Sequence, residues 1–299
     1  MSRRPADRRA WRALPLAILI ACSLYALGFW LFGRLGPQPW AAAAERVRAG
    51  WRAGDAVAVQ PWWAARLREQ LGRRPLLQRR ALAATDLETH RRLWLFSLPG
   101  HHEPLPAALA GERASLVQEL DFDGLRLRRF RLRHQPVEVV YDFRARLHEA
   151  AVAVHTAGGR RVCDRWRDQR WICSRHDWNF VGRVIVELGA EPQEVIWAHP
   201  TEQGPISVRY PAVPGGRSLL VHTGLTPPAA RTAGGAPVTL EVEAAGRPLA
   251  RIVQPNQSGH FPHAIDIAAL GPGPFAVTFR ISAPRAGMRH FCFDAEVRR

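Results

Sequence analysis

The feature that most constrains this chain is an uncharged run at residues 13–33, ALPLAILIACSLYALGFWLFG. At about 1.5 Å per helical residue, the run is long enough to cross a hydrocarbon core of about 30 Å. Five arginines lie in residues 1–12, whereas Arg34 alone follows closely. Because positive residues favour the cytoplasmic side, we predict a cytoplasmic tail at 1–12 and one transmembrane helix at 13–33. The protein is then single-pass in the inner (cytoplasmic) membrane, with the bulk of the chain periplasmic.

Two other interpretations of the same run put the chain on the same side of the membrane. A cleaved secretory signal has a shorter apolar stretch and a small-residue cleavage site, but the alanines at 41–44 lie too far beyond the run. A lipoprotein signal would use Cys22, which follows Leu19-Ile20-Ala21, yet the chain stays apolar as far as Gly33. An intact helix is the interpretation favoured by the length of the run.

The basic charge says little about partners. The formal net charge is +16, and all 42 basic residues are Arg, with no Lys, a pattern typical of GC-rich coding bias. The densest basic stretch, Arg126–Arg133, alternates with Leu and Phe, which predicts a half-buried strand with a solvated Arg face; the alternative is a site for phosphate or an anionic glycan. We expect no nucleic-acid partner.

The pattern after the anchor predicts a small α/β domain at 34–154. A short Ala-rich amphipathic segment at 41–52 leads into it. The predicted helices are Trp62–Leu71 and Leu82–Arg92, and the predicted strands are Asp55–Gln60, Arg92–Ser97, Glu119–Arg133 and Val137–Phe143.

From about residue 155 helical periodicity gives way to alternating apolar runs between Gly and Pro turns, which is typical of an antiparallel β-sandwich. We therefore predict an α+β chain whose second domain, at 155–299, is a jelly-roll-like sandwich. Its predicted strands are Val181–Leu188, Glu194–Ala198, Ile206–Tyr210, Ser218–Thr223, Val238–Ala244, Ala264–Ile267, Phe275–Ser282 and His290–Val297.

Three cysteines lie beyond the apolar run. Cys163 and Cys173 bracket two short apolar stretches around a polar turn, so a hairpin would bring them face to face, and an oxidising compartment favours a disulfide. Cys292 is then the odd thiol, expected to be buried. Zinc-ligand spacing is missing around these cysteines, and we predict no metal site there.

The candidate ligand-binding residues form an aromatic cluster near the start of the sandwich. Flat aromatic faces stack on sugar rings, and neighbouring histidines orient hydroxyl groups, so the cluster predicts a glycan-binding surface. Against this stands the tendency of large aromatics to fill sandwich cores; Trp171 and Trp178, however, need not both face inward. The candidate residues are Trp166, Trp171, Trp178, Trp197, Tyr210, His176 and His199.

No sequence motif for catalysis accompanies this cluster. The chain has no nucleophile elbow, zinc-protease motif, phosphate-binding loop or dinucleotide fingerprint, so we predict no catalytic residue and no cofactor. His101-His102-Glu103, with Asp121 or Asp123, offers metal-ligating types without a spacing that brings them together. An unrecognised enzymatic site remains an alternative.

Residues 45–135 resemble a known family through AGDAVAVQPWWAARLREQLG, RRLWLFSLPG and LDFDGLRLRRFRL. These segments are similar to the extracytoplasmic C-terminal region of polytopic mannosyltransferase-type (GT-C) glycosyltransferases. Those enzymes carry their catalytic acids between many membrane helices, and this chain has one, so no catalytic residue carries over. The C-terminal half resembles galactose-binding-like and carbohydrate-binding-module sandwiches, a fold-level analogy.

Together these features predict a non-catalytic, membrane-anchored envelope protein. The resemblances imply that it binds glycan or lipid-linked saccharide, as an accessory to a polytopic glycosyltransferase. An enzyme acting on envelope saccharides and a purely structural envelope protein are the alternatives.

Overall fold

A computed structural model describes residues 14–15, 17–27, 36–64, 67–72, 74–79, 82, 84–101, 109, 113–174, 176 and 178–299. Residues 14–15 and 17–27 are helical. Within these described ranges, no helix has the length and apolarity needed to cross a membrane. The predicted tail at 1–12, and residues 13, 16 and 28–33 of the predicted span, lie outside the described residues.

The chain forms two compact units. The first comprises Met1–Leu77, Ala81–Leu87 and Arg91–Arg133, and the second comprises Gln78–Arg80, Glu88–His90 and His134–Arg299.

From residue 36 onward, the described residues of the first unit form a five-stranded sheet and two α-helices. The helices are α1 (Pro37–Gly50) and α2 (Leu67–Leu71), and the strands are β1 (Asp55–Gln60), β2 (Leu76–Leu77), β3 (Arg92–Ser97), β4 (Ala114–Phe122) and β5 (Leu125–Leu132). The strand order is β2-β1-β3-β5-β4, with β1 parallel to β2 and β3, and β5 antiparallel to β3 and β4. Strands β1 and β3 are buried along almost their whole length, as expected for central strands covered on both faces.

Several predicted elements of this unit differ from the observed ones. Helix α1 begins at Pro37, because Pro is tolerated in the first helical turn, where its missing N–H leaves no bond unmade. Within the predicted helix 62–71, residues 61–64 form a turn and the described helix begins at Leu67; the predicted helix 82–92 is a short 3₁₀ turn at Ala84–Asp86. The predicted strand 119–133 is part of a hairpin that turns at Asp123-Gly124, both with positive φ.

The second unit is an antiparallel β-sandwich, as predicted. Its strands are β6 (Val139–Asp142), β7 (Ala151–Thr156), β8 (Gly159–Val162), β9 (Arg165–Arg167), β10 (Arg170–Ile172), β11 (Phe180–Leu188), β12 (Glu191–Ala198), β13 (Ile206–Val213), β14 (Ser218–Leu225), β15 (Val238–Ala244), β16 (Arg247–Gln254), β17 (Phe261–Asp266), β18 (Phe275–Ser282) and β19 (Phe291–Arg298). A four-residue helix, α3 (Pro227–Ala230), follows β14.

Two sheets make up the sandwich. The eight-stranded sheet has the order β17-β14-β19-β12-β11-β10-β9, with β6 paired to β19, and the six-stranded sheet has the order β16-β15-β18-β13-β7-β8. Alternate residues of both sheets meet in one apolar core, where Phe143, Tyr210, Phe279, Phe291 and Phe293 are fully buried.

Strands β6 and β7 pair within the sandwich, with β19 and β13 respectively. The prediction that Val137–Phe143 belongs to the α/β layer is wrong, because local alternation shows a strand but not its partner. The sequence does not predict β7, β8 and β16. Strands β8 and β16 are edge strands, and β8 is exposed at every position, so it carries no apolar alternation. Three consecutive positions of β7 are buried, so it shows no alternation either.

Candidate functional site

The register of three neighbouring strands brings Trp178, His199 and His290 together at one end of the eight-stranded sheet. Val181 pairs with Ala198, and Trp197 pairs with Cys292. Continuing these antiparallel registers by one to three residues brings the three side chains into the same region, just beyond the strand ends. Their position is therefore set by the sheet and not by a long flexible loop.

Ring contacts hold this aromatic group together. The ring centroids of Trp178 and His199 lie 4.7 Å apart, those of His199 and His290 lie 5.6 Å apart, and those of Trp197 and His290 lie 5.0 Å apart. The Trp197 indole N–H donates to the backbone carbonyl of Trp178 at 3.2 Å. His176 stacks on Trp178 with a centroid separation of 5.6 Å, yet 46% of Trp178 stays exposed.

A cavity of about 400 Å³ lies beside Trp178. Its lining residues are Trp178, His199, Pro200, Thr201, Glu202, Ala286, Gly287, Met288 and His290. Exposed apolar surface from Trp178 and Met288 stands next to polar groups from His199 and Glu202, and the volume suits a small organic ligand.

The hydrogen-bond pattern makes His199 an acceptor for a ligand. Its Nδ1 lies 2.6 Å from the Pro200 carbonyl oxygen, which only accepts, so Nδ1 carries the proton and Nε2 of the neutral ring is an acceptor. Burial lowers the pKa of His199; the bond to Pro200 opposes this shift, and the charges of His290 and Arg289 add to it. Burial, followed by the charge of Arg289, also lowers the pKa of His290. Both rings are therefore neutral near pH 7, suited to hydrogen-bonding a hydroxyl group.

Arg289 is a fully buried guanidinium beneath this end of the sandwich. It donates to the carbonyl oxygens of Ala229 at 2.6 Å and Ala236 at 3.3 Å, and to Asn256 Oδ1 at 2.5 Å. No carboxylate among the described residues pairs with it. The positive charge of Arg289 is therefore not neutralised by an ion pair, and it lowers the pKa values of the neighbouring histidines. The hydrogen bonds that it donates connect three loops.

The other predicted site residues lie elsewhere. Trp166 and Trp171 face each other across the hairpin of β9 and β10, with a centroid separation of 5.1 Å. Trp171 packs against the core and donates from its indole to the Leu147 carbonyl at 2.9 Å. Tyr210 is fully buried and donates to the Phe143 carbonyl at 2.9 Å. Tyr210 therefore faces no ligand, which corrects its assignment to a binding surface.

The predicted disulfide is confirmed. Cys163 and Cys173 are bonded, with their Cα atoms 4.4 Å apart, and they close the hairpin formed by β9 and β10. Cys292 is a free, fully buried thiol, as expected. Burial, together with the nearby Asp294 carboxylate, raises the pKa of its thiol.

A group of titratable residues that the sequence analysis missed lies on the outer face of the same sheet. Asp294 accepts hydrogen bonds from His222 Nδ1 at 3.0 Å and from His260 Nε2 at 2.6 Å. Burial alone would raise the pKa of Asp294, but the two hydrogen bonds outweigh it and hold that pKa well below its usual range. His222 and Asp294 are direct cross-strand partners in β14 and β19. Their contact can therefore be predicted only when the register of these two strands is known.

The residue types of this His–Asp–His group suit a divalent transition metal, but its geometry does not. The two imidazoles stack at 4.3 Å with an interplanar angle of 11°. A ring nitrogen binds a metal in the plane of its ring at about 2.1 Å, so two stacked, nearly parallel rings do not direct both lone pairs at one ion. The arrangement is that of a hydrogen-bonded cluster.

The metal-ligating residue types noted at His101-His102-Glu103, Asp121 and Asp123 form no cluster within the described residues. His101 contacts Trp63 edge-on, with ring centroids 6.1 Å apart, and Asp121 accepts the Gly124 N–H in the β4–β5 turn. His102 and Glu103 lie outside the described residues.

Comparison with models of known protein families finds no match, and no curated protein matches this chain. Among solved structures, the chain is similar to the CBM51-2 and INT domains of ZmpB from Clostridium perfringens, at 12% identity and a TM-score of 0.31, over 50% of this chain and 36% of that chain. It is also similar to the CBM51 of a Clostridium perfringens GH95 in complex with methyl-galactose, at 11% identity and a TM-score of 0.27, over 56% of this chain and 95% of that chain. A third is a mutant of CBM29-2, a family 29 carbohydrate-binding module, at 13% identity and a TM-score of 0.22, over 50% of this chain and 89% of that chain.

Similarity at these values establishes neither a shared function nor a ligand for this chain. The resemblance of residues 45–135 to glycosyltransferases stays a prediction.

Proposed function

We propose that this chain is a non-catalytic, membrane-anchored envelope protein whose sandwich binds a saccharide at Trp178, His199 and His290. The observation that carries the proposal is the half-exposed indole of Trp178 beside a cavity of about 400 Å³ lined with polar groups. An exposed aromatic face next to neutral hydrogen-bonding rings meets the two needs of a sugar, which presents apolar C–H groups on one face and hydroxyls at its edge.

Polar groups at the cavity are placed to orient hydroxyls. His199 Nε2 is an acceptor, and the second carboxylate oxygen of Glu202, Oε2, has no hydrogen bond with any described residue, while Oε1 accepts the backbone N–H groups of Ala286 and Gly287. The Thr226 hydroxyl lies 3.1 Å from His290 Nδ1 and orients that ring. Two acceptors fixed by backbone contacts are thus available to one small ligand.

The test is saccharide binding by the full chain in detergent micelles, screened on a glycan array and quantified by tryptophan fluorescence. Trp178→Ala should weaken binding by roughly five- to hundredfold, by analogy with aromatic stacking on bases, and leave the melting temperature nearly unchanged. Trp166→Ala removes an equally large indole, 39% exposed, from the neighbouring hairpin and is the matched control. Equal affinity of the two variants, or no saccharide bound by the wild type, would refute the proposal.

Membrane anchoring and sidedness rest on the uncharged run at 13–33 and the arginines that precede it. A reporter enzyme active only outside the cytoplasm should be active when fused after Arg299 and inactive when fused after Arg12. Reversed activities would overturn the proposed topology. Association with a polytopic glycosyltransferase, which the resemblance of residues 45–135 implies, is tested by co-purification from membranes; recovery without any glycosyltransferase would remove that part of the proposal.

A further inference from the structure

The outer face of the six-stranded sheet carries a groove of about 690 Å³ that is separate from the Trp178 cavity. Strands β7, β8, β13, β15, β16 and β18 all contribute to it. Its polar lining residues are His155, Arg160, Ser207, Arg209, Glu241, Glu243, Arg251, Thr278 and Arg280.

Strand register places two of these arginines close together. Ser207 pairs with Arg280, and Arg209 pairs with Thr278, across β13 and β18. Because residues two apart share one face, Arg209 and Arg280 are diagonal neighbours, with Cα atoms roughly 7–8 Å apart. The short side chains of Ser207 and Thr278 alternate with them and leave room above the sheet.

A third arginine reaches the same groove from the far side of β7. Arg160 pairs with His155, whose Nε2 lies 2.8 Å from the Ser207 hydroxyl. Burial lowers the pKa of His155, and the positive charges of Arg280 and Arg160 lower it further. The imidazole therefore lies in a positive potential to which both arginines contribute.

None of these three guanidiniums forms an ion pair in the part of the chain that the structure describes, although Glu241 is the direct cross-strand neighbour of Arg280. Arg160, Arg209 and Arg280 are exposed, and none takes part in an ion pair there, whereas other arginines of this unit do, such as Arg183 with Glu194. Three unpaired guanidinium forks on one groove form a site for an oxyanion, which Arg recognises by paired N–H donors.

The same groove also presents carboxylates. Glu241 lies 4.0 Å from Arg251 and is the direct cross-strand neighbour of Arg280, while Glu243 is the direct cross-strand neighbour of Thr278. A carboxylate repels a simple anion but accepts hydrogen bonds from hydroxyl groups. A ligand that carries both an acidic group and hydroxyls would bind the arginines through its acidic group and the two glutamates through its hydroxyls.

We infer that this groove is a second binding site, specific for an acidic saccharide whose carboxylate or sulfate binds Arg209, Arg280 and Arg160. The inference rests on the proposed function only for the class of ligand, since none of these residues lines the Trp178 cavity. The volume of the groove, about 690 Å³, lies within the range of about 300–1,000 Å³ usual for ligand sites.

The test measures binding of the full chain in detergent to oligogalacturonate and to its methyl ester, which has the same rings without the charge. A sulfated oligosaccharide, in a parallel titration, distinguishes sulfate from carboxylate. We expect the free acid or the sulfated sugar to bind at least tenfold more tightly than the ester, with affinity falling as salt rises.

Arg209→Gln and Arg280→Gln should each weaken acid binding about tenfold, the usual loss for one hydrogen bond to a charged group. Arg247→Gln removes the same charge from β16 at an exposed position outside the groove and should change little. Arg280→Lys keeps the charge and should restore part of the affinity. Trp178→Ala should leave acid binding intact, so that failure of this site and failure of the Trp178 site are distinguishable.

Several outcomes would overturn the inference: equal binding of acid and ester, an unchanged affinity in Arg209→Gln and Arg280→Gln, or equally tight binding of single-stranded DNA or anionic vesicles. The last result would show a general polyanion surface instead of a saccharide site.

Discussion

The carboxylate of Glu202 accepts the backbone N–H of Ala286 at 2.6 Å, although the two residues are 84 positions apart in the chain. This bond links the loop after β12 to the loop before β19, and those loops form the walls of the Trp178 cavity. Because the two loops are already held together, binding a ligand costs less conformational entropy than it would if the loops had to become ordered. The cavity is thus largely pre-organised.

Trp171 and Trp166 should respond differently to truncation. Trp171 packs on the core and donates to the Leu147 carbonyl, so Trp171→Ala should lower the free energy of unfolding by about 2–3 kcal/mol, less than a fully buried Trp would cost. Trp166→Ala should cost under about 1 kcal/mol, because its indole is more exposed. Urea denaturation of the two variants measures both values, and similar losses would show that Trp171 has no special packing role.

Stability should fall in mild acid because of buried histidines. Burial is the largest cause of the lowered pKa of five histidines: 155, 199, 260, 263 and 290. In the unfolded chain each takes up a proton near pH 6.5, so below that pH the unfolded state binds more protons and the free energy of unfolding decreases. The contribution of these neutral histidines to the free energy of unfolding should be fully present above about pH 7, and it should be lost progressively as the pH falls below 6.5.

Urea titrations between about pH 7.5 and pH 5.5 measure this slope. His199→Gln should make the slope shallower, because it removes one of these five histidines. A stability that stays constant or rises over this interval would contradict the prediction.

Replacing Arg289 should weaken the sandwich and change the neighbouring histidines. Arg289→Met removes the donors that Arg289 supplies to the buried carbonyls of Ala229 and Ala236 and to the exposed Asn256 side chain, which we expect to cost about 1–3 kcal/mol. Removal of the charge should also raise the pKa of His290. Denaturation and an NMR pH titration of the imidazole provide the two readouts. Arg285→Met, on the same loop but exposed, is the control and should cost under about 0.5 kcal/mol.

Cys292 should resist alkylation in the native protein. Its thiol is fully buried, and its raised pKa keeps it in the unreactive protonated form. Peptide mapping after maleimide treatment should find Cys292 unlabelled without denaturant and fully labelled in concentrated urea, with Cys163 and Cys173 unlabelled until reduction. Rapid native labelling would contradict its burial.

Local pattern was sufficient to predict much of the sandwich. Strands β15 and β18 have the bounds expected from alternation, because one face of each meets the core. The same signal would have excluded Tyr210 from the binding surface: Ile206, Val208 and Tyr210 share the inward parity of β13, with Ser207 and Arg209 facing out. Its misassignment came from considering aromatic residues as a group instead of by parity.

The composition of both sites depends on long-range pairing, which no local pattern shows. His290 joins His199 only because β19 lies beside β12, although the strands are nearly a hundred residues apart in sequence. Arg160, Arg209 and Arg280 likewise meet through the register of β8, β7, β13 and β18. The sequence places Trp178 and His199 in one candidate cluster, because these two residues are close along the chain.

The disulfide between Cys163 and Cys173 acts within one short stretch of the chain. Its half-cystines are ten residues apart, whereas β19 pairs with strands that lie far from it in sequence. Because the disulfide closes so small a loop, it restricts the unfolded chain little. The bond therefore acts locally, on the hairpin that leads into Trp178, whereas the cavity also needs the long-range pairing of β19 that brings in His290.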